Sequence, residues 1–397
     1  MGTERGLYPD IEERRDSIGN LIREAGTPVA VCDKSILTAR FETLQGCLTK
    51  SWPSTQIAYS FKTNYEVAKS GIFKELGAFA EVVSGREYAL ARELGYPGSE
   101  IIFNGPYKDD ESLRSAIDER AVINVNDQQE LRRIIEIANL RRELVPVGIR
   151  VSSTLEGFGH SRFGFSMENG EAKKAVDAIK HAEFVSIVGL HSHVYGDTDD
   201  EKIYAIAATR AAEFARKHVG NIGERLRFFN MGGGFPANTP QPYSRKTWHP
   251  KDIGIYVSMI AESLRRNYGA SETSPTLILE PGRYLVNDAI ILVTSVVHAQ
   301  DRDGKQIVNT NGSISMVPLT HYRPQVIQAY NSDLERRTDG CRATIVYGAT
   351  CRENDVLYSG DFPRVGPGDI LIHFGVGAYN SSLSPAFIFD QPPTIFV

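Results

Sequence analysis

Gln56-Ile57-Ala58-Tyr59-Ser60-Phe61-Lys62-Thr63-Asn64 is an apolar, alternating run that stops abruptly on a lysine. The alternation predicts a β-strand with Lys62 at its C-terminal tip. A lysine so placed lays its stem against the core and holds its amine over the mouth of a sheet. Desolvation there lowers its pKa and makes it a nucleophile toward aldehydes. Taken alone, the same residue also reads as a solvated surface charge, because a long stem snorkels easily. What singles out Lys62 is the number of later segments that converge on it.

Outward from this strand, short apolar runs at 56–61, 79–83, 100–103, 121–125, 145–150, 184–191, 226–230 and 276–280 alternate with stretches of helical period. Strands alternating with helices imply right-handed βαβ units and a parallel sheet, and eight of them over about 250 residues predict a closed (β/α)8 TIM barrel. A doubly wound open sheet is the alternative. Its usual nucleotide fingerprints, GxGxxG after an early strand or GxxxxGK[ST], do not occur. Before the barrel, Ile11, Ile18, Leu21 and Ile22 give a helical spacing from Tyr8 to Ala25, ended by Gly26 and followed by the strand-like Pro28–Cys32. After residue 285 the character changes to β-branched runs such as Ala289–Val297, Ala343–Tyr347 and Asp369–Phe374, separated by turns such as Asp301-Arg302-Asp303-Gly304. This predicts a C-terminal all-β domain that recruits the 28–32 strand. The expected division is a barrel over 34–285 and a β-rich domain made of 286–397 with 1–33.

With 397 residues, two domains are the default. A composition of 41% hydrophobic and 23% charged residues, with net charge -5, is ordinary for a globular protein and offers no basic stripe for nucleic acid. The charged start, Met1-Gly2-Thr3-Glu4-Arg5-Gly6, lacks an apolar signal core, and no run approaches membrane-spanning length. Cys32, Cys47, Cys341 and Cys351 are widely spaced with no CxxC pair, so neither a zinc motif nor a disulfide framework is expected. These features point to a cytoplasmic protein with reduced thiols and no membrane partner.

Barrel active sites form at the C-terminal ends of the strands, and the chemistry-bearing residues fall there repeatedly. Lys62 ends the first strand, Glu81 and Ser84 the second, Asn104 the third and Arg150 the fifth. His191 and His193 end the sixth, Gly232-Gly233-Gly234 the seventh, and Glu280-Pro281-Gly282-Arg283 the eighth. The histidine pair reads either as metal ligands or as core histidines, and with no carboxylate at ligand spacing no metal is expected. A triple glycine is a common turn, but after the seventh strand it is also where barrels hold a phosphate through backbone N–H groups. A lysine, a phosphate cradle, a flat histidine ring and a glutamate around one barrel mouth are the parts needed to bind pyridoxal phosphate.

Across nearly its whole length the chain resembles the fold-type III pyridoxal-phosphate decarboxylases, the family of diaminopimelate, ornithine and arginine decarboxylases, built on an alanine-racemase-like barrel. Tyr59-Ser60-Phe61-Lys62-Thr63-Asn64 is similar to the family's Tyr-x-x-Lys-x-Asn, which implies that Lys62 carries the cofactor. Glu81 stands where the family usually has Asp, and Gly189-Leu190-His191-Ser192-His193-Val194 resembles the segment whose second histidine stacks on the cofactor ring. The resemblance makes Gly232, Gly233 and Gly234 the phosphate loop, Glu280 the partner of the pyridine nitrogen, and Gly282 and Arg283 further contacts. Arg150 joins the cofactor set. Gly348-Ala349-Thr350-Cys351 and Gly377-Ala378-Tyr379 are similar to two segments that complete the neighbouring subunit's site in these homodimers, with Cys351 as proton donor.

Three departures bear on substrate. Tyr195-Gly196 replaces the family's Gly-Ser; Arg352 replaces the acidic residue after the cysteine; and Arg323-Pro324 keeps the Arg-Pro of diaminopimelate enzymes without the following tyrosine, which is Ile327. The expected activity is therefore α-decarboxylation of an amino acid with a distal carboxylate, free or in a conjugate, read by Arg323 and Arg352 with help from Arg283 and Tyr379. In one variant of this reading Glu353 meets an amine while Arg352 faces solvent. An amino-acid racemase on the same barrel and a catalytically silent regulator are the competing functions. Glu280 and Cys351 argue against the racemase, and the retention of Lys62, Glu280 and Tyr379 argues against the silent regulator.

Overall fold

The computed structural model describes residues 11–154, 161–194, 198–220, 226–240, 250–269 and 274–397. The chain divides into two compact units. One comprises Phe41–Phe235 with Lys251–Gly282, the other Met1–Arg40 with Pro236–Pro250 and Arg283–Val397. Strand β1 (Val29–Cys32) belongs to the second of these.

The first unit is a closed barrel. Its strands are β2 (Thr55–Ser60), β3 (Phe79–Val82), β4 (Ile101–Phe103), β5 (Val122–Val125) and β6 (Val145–Ser152), with the two-residue β7 (Phe165–Ser166) appended to β6. The ring continues through β8 (Val185–His191), β9 (Phe228–Asn230) and β10 (Thr276–Leu279). All barrel pairings are parallel, and closure comes from β10 against β2, with Leu277, Ile278 and Leu279 opposite Thr55, Gln56 and Ile57. The helices between strands start where the sequence supplies a capping oxygen: Ser84 accepts from the Glu87 N–H, Asp109 from Ser112, Asp127 from Gln129 and Glu130, and Asp252 from Gly254. Lys62 sits one step beyond the expected position. β2 ends at Ser60, and a single 3-10 turn, Phe61–Thr63, carries the lysine over the rim.

Inside the barrel, Ala58, Ile102, Phe228 and Ile278 from four strands meet in one buried cluster. The Phe228 ring fills so much of this layer that its neighbours must be glycine. A Cβ at Gly189 on β8 would stand 2.1 Å from the ring, and one at Gly148 on β6 would stand 2.8 Å from it.

The second unit is a curled β-sheet. After β1 it contains β11 (Ile290–Arg302), β12 (Lys305–Thr310), β13 (Val326–Tyr330), β14 (Arg342–Tyr347), β15 (Val356–Phe362), β16 (Ile370–Phe374) and β17 (Thr394–Phe396), in the order β13-β16-β11-β12-β14-β15. β1 pairs antiparallel with β11 and parallel with β17. A register shift between Val296 and His298 divides β11. Its first part pairs with β1 and β16 and its second with β12, the kind of bend a β-bulge produces. The first helix is shorter than the periodicity suggested, Arg15–Ala25, and Tyr8, Pro9 and Asp10 lie outside the described residues. Ile18 and Leu21 of this helix pack with Val29, Val31, Val293 and Phe374. Among the described residues, no helix is long and apolar enough to cross a membrane.

Overpacking a tight core costs about 1–3 kcal/mol, so Gly189→Ala should destabilise the protein by that amount in urea unfolding. Adding Phe228→Leu should recover part of the loss. A Gly189→Ala protein as stable as its parent would show that the ring is not wedged against β8.

Candidate active site

Ser60 and Glu81 are register partners on β2 and β3, which sets their side chains next to each other at the barrel mouth. Lys62, two residues on, donates its Nζ hydrogens to Glu81 Oε2 at 2.5 Å and to Ser60 Oγ at 2.8 Å. Ser60 Oγ in turn donates to Glu81 Oε2 at 2.6 Å. The glutamate is only 1% exposed, whereas the lysine side chain keeps 32% of its surface open. A buried charge costs several kcal/mol unless paired and hydrogen-bonded, and Glu81 is both. Its place in the structure is as counter-charge of the lysine. Thr63 packs against the Glu280 segment so tightly that a Cβ at Gly282 would lie 2.0 Å from Thr63 Oγ1.

Glu280 follows β10 directly and is 2% exposed. Its Oε1 accepts from Asn104 Nδ2 at 2.7 Å and from Asn230 Nδ2 at 2.5 Å, while His191 Nε2 stands 3.4 Å from Oε2. Burial opposes ionisation of this carboxyl, but His191, by charge and hydrogen bond, followed by Lys62 and His193, outweighs it. The Glu280 pKa falls well below the usual carboxylate range.

His193 lies two residues beyond β8. Desolvation, followed by the charges of Arg150 and Lys62, pushes its pKa well below 6.5, so it is a neutral ring at physiological pH. Its Nδ1 accepts the Gly233 N–H at 3.0 Å, and the Gly232 N–H goes to Asn230 Oδ1 at 2.9 Å. Two of the three glycine N–H groups have partners within the protein. Packing alone also requires glycine here. A Cβ at Gly233 would stand 1.9 Å from the Glu280 carbonyl oxygen, and one at Gly232, where φ is +65°, would stand 2.5 Å from His193 Nδ1. Arg150 on β6 lies over the Phe163 ring at 4.7 Å. Burial lowers its pKa to about 10 against the opposing pull of Glu280 and Glu81, and it stays charged at neutral pH.

In the β-rich unit, Arg283 lies over the Tyr379 ring of the same chain at 5.2 Å. Gly377 permits this approach, since a Cβ there would meet the Val286 carbonyl oxygen at 1.8 Å. Tyr379 itself adopts φ +63°, a left-handed conformation uncommon for an aromatic residue. Cys351 is exposed. The turn that presents it is pinned by Asp355, a residue the sequence argument passed over. Asp355 is 1% exposed and accepts from the N–H groups of Ile314 at 2.7 Å and Thr350 at 2.9 Å. Arg352 is half-buried, with its Nε on Asn354 Oδ1 at 3.2 Å and its guanidinium 5.8 Å from the Phe387 ring centre, whereas Glu353 is exposed. Arg323 is 1% exposed and donates to the Pro240 carbonyl at 2.5 Å. The Tyr195-Gly196 departure lies outside the described residues.

Folding also alters the argument about metals. Ligand-type atoms of His191, His193 and Glu280 come within 4.8 Å of one another, a proximity that sequence spacing does not reveal. The donor set nonetheless fits pyridoxal phosphate: an amine on the rim, an ionised carboxylate below it already held by two amide donors, a neutral imidazole, and a glycine loop with no room for side chains. Asn104 and Asn230 complete this set, and nothing in the sequence pattern marked them as partners of Glu280.

The family profile described as pyridoxal-dependent decarboxylase, pyridoxal binding domain, matches residues 37–287. The diaminopimelate decarboxylase of Bacillus subtilis (strain 168) is 26% identical over 396 residues, covering 95% of this chain and 88% of that protein. The L-glutamyl-[BtrI acyl-carrier protein] decarboxylase of Niallia circulans is 26% identical over 394 residues, covering 94% and 89%. Among solved structures, diaminopimelate decarboxylase from M. jannaschii in complex with L-lysine shares the fold with TM-score 0.82 at 24% identity, covering 96% of this chain and 89% of that one. With the barrel, its second β-sheet unit and a site that fits the cofactor, the chain belongs to the pyridoxal-dependent decarboxylases and is a pyridoxal-phosphate-dependent carboxy-lyase acting on an amino acid.

Proposed function

We propose that the protein decarboxylates, at Cα, an amino acid whose far end carries a carboxylate, free or within a larger conjugate, and that Arg352 reads that end. The observation that carries this reading is the Cys351–Glu353 turn: the thiol is exposed, the guanidinium beside it is held by Asn354 and lies against Phe387, and Glu353 is exposed. A guanidinium offers a planar fork to a carboxylate and repels an ammonium. Diaminopimelate, after which several relatives are named, has a second carboxylate, and the Niallia circulans relative is named for a glutamyl group on a carrier protein. Arg323 has a smaller part in this reading than the sequence suggested, because one of its donors is used on Pro240.

When bound, pyridoxal phosphate supplies a ring that accepts the electron pair left by departing CO2. Lys62 would hold it covalently, Glu280 would face its ring nitrogen, His193 its ring face, and Arg150 with the Gly232–Gly234 loop would complete its surroundings. Glu280 contributes a fixed negative charge, which favours a protonated nitrogen through a charge-assisted hydrogen bond. Cys351, contributed by a second copy of the chain in a homodimer, donates the proton to Cα. None of the four cysteines is in a disulfide, which suits the cytoplasm as the place of action.

Purified protein should show a visible absorbance band that borohydride reduces, and Lys62→Ala should lack it. Mixing Lys62→Ala with Cys351→Ala protein under conditions that exchange subunits should restore activity that neither has alone. Exchanged subunits that stay inactive would place both residues in one chain's site.

In a panel followed by CO2 release, diaminopimelate or other amino acids that keep a free distal carboxylate should be favoured over lysine and ornithine by about 100-fold, since juxtaposed like charges cost several kcal/mol. Arg352→Glu should narrow that gap. Efficient wild-type turnover of lysine or ornithine would end the acidic-substrate reading.

A further inference from the structure

We propose that Asn104 is a positioning residue that holds the two buried carboxylates of the site, Glu81 and Glu280, in register by giving each of them one hydrogen of the same amide. Its Nδ2 lies 3.0 Å from Glu81 Oε1 and 2.7 Å from Glu280 Oε1. The orientation of that amide is fixed from behind, because Asn124 Nδ2 donates to Asn104 Oδ1 at 2.8 Å. Asn124 has room on β5 only because β6 carries Gly148, where a Cβ would stand 2.1 Å from Asn124 Oδ1. The Asn124 carbonyl is anchored in turn by Lys108 Nζ at 3.2 Å, and Lys108 pairs with Glu130 at 2.6 Å. Asn104, Asn124, Lys108 and Glu130 are each at most 3% exposed, so this is a dry chain of polar groups running from an ion pair to the site. Glu81 pairs with Lys62 and Glu280 faces His191, so Asn104 joins the lysine end of the site to its ring-nitrogen end.

One amide thus donates to both carboxylates at once, and its loss removes a donor from each. Other titratable groups face the pair: Lys62 from the turn after β2, Arg150 from β6, His191 and His193 from β8 and the residues after it, and Glu87 from the helix after β3.

This inference rests on the assignment of Glu280 and Lys62 to the cofactor, but its first test does not need the cofactor. Asn104→Asp keeps size and shape while replacing the shared donor by a third carboxylate, and three such groups cannot all ionise at hydrogen-bonding distance. The new acid must hold a proton in the folded protein at a pH where the unfolded chain has lost it. Its penalty is therefore small near pH 4 and grows as pH rises toward 8. Thermal melts of the cofactor-free protein should show Asn104→Asp close to the parent at pH 5 and well below it at pH 8. A variant unfolded at pH 8 that refolds at pH 5 is the same result in stronger form. Equal melts at both pH values, or failure to fold even at pH 5, would overturn the proposal, since a packing role alone is satisfied by an isosteric side chain.

In the holoenzyme, the smaller, neutral Asn104→Ser should weaken cofactor binding about tenfold, the scale of one hydrogen bond to a charged group, and move the acid limb of kcat/KM upward. An unchanged acid limb and cofactor affinity would contradict it. If the parent neither binds the cofactor nor releases CO2, the functional assignment fails, and the melts still judge Asn104.

Discussion

Two carboxylates buried at one barrel mouth are the constraint on which the rest of the site depends. Glu81 and Glu280 are at most 2% exposed, and both accept from Asn104. Buried acids so close together normally respond by keeping a proton. Here each is surrounded by donors and positive charge: Lys62 and Ser60 for Glu81, Asn104, Asn230 and His191 for Glu280. The same groups that make the charges tolerable also fix their positions, so electrostatic stability and preorganisation come from one network.

The barrel makes such a network possible because parallel register delivers residues from distant parts of the chain to one rim. Ser60 stands opposite Glu81, and His191 opposite Asn230. Glycines then clear the space between them. Gly148 admits both the Phe228 ring and the Asn124 amide, Gly189 admits Phe228, and Gly233 lets the loop after β9 touch the Glu280 backbone. A methyl group at any of these positions would strike the core layer or the layer of functional groups above it.

Much of this was legible in the sequence, because period-2 runs mark strands and an abrupt lysine, glutamate or histidine at the end of one marks a barrel rim. The eight barrel strands, Lys62, Glu280 and the histidine pair were readable in that way. Asn104 could be placed at the rim but its partners could not, and Asn124 and Asn230 stood out in no way. A buried amide such as Asn124, in a short strand with Val122, Ile123 and Val125, has no pattern of its own and acquires meaning only through neighbours from other strands. Register likewise decides that Glu81 serves the lysine, and folding alone brings Glu280 to the histidines. The glycine triplet stood out as a turn or a phosphate-holding loop, whereas its close contacts with His193 and the Glu280 backbone are tertiary facts. Asp355 escaped because its partners, Thr350 and Ile314, come from two different loops.

The central claim is that Glu280 is ionised in the folded protein because its surroundings were built to keep it so. A group whose folded pKa is depressed adds stability above its unfolded value, about 4.3 for glutamate, and loses it only as pH falls through the lower folded value. The direct measurement is an isotope-edited infrared titration of the cofactor-free protein, with Glu280 assigned by difference from Glu280→Gln. The account predicts that the Glu280 carboxylate band persists unchanged below pH 4.3, for as long as the protein stays folded. A Glu280 that takes up its proton at or above the ordinary glutamate value would contradict it.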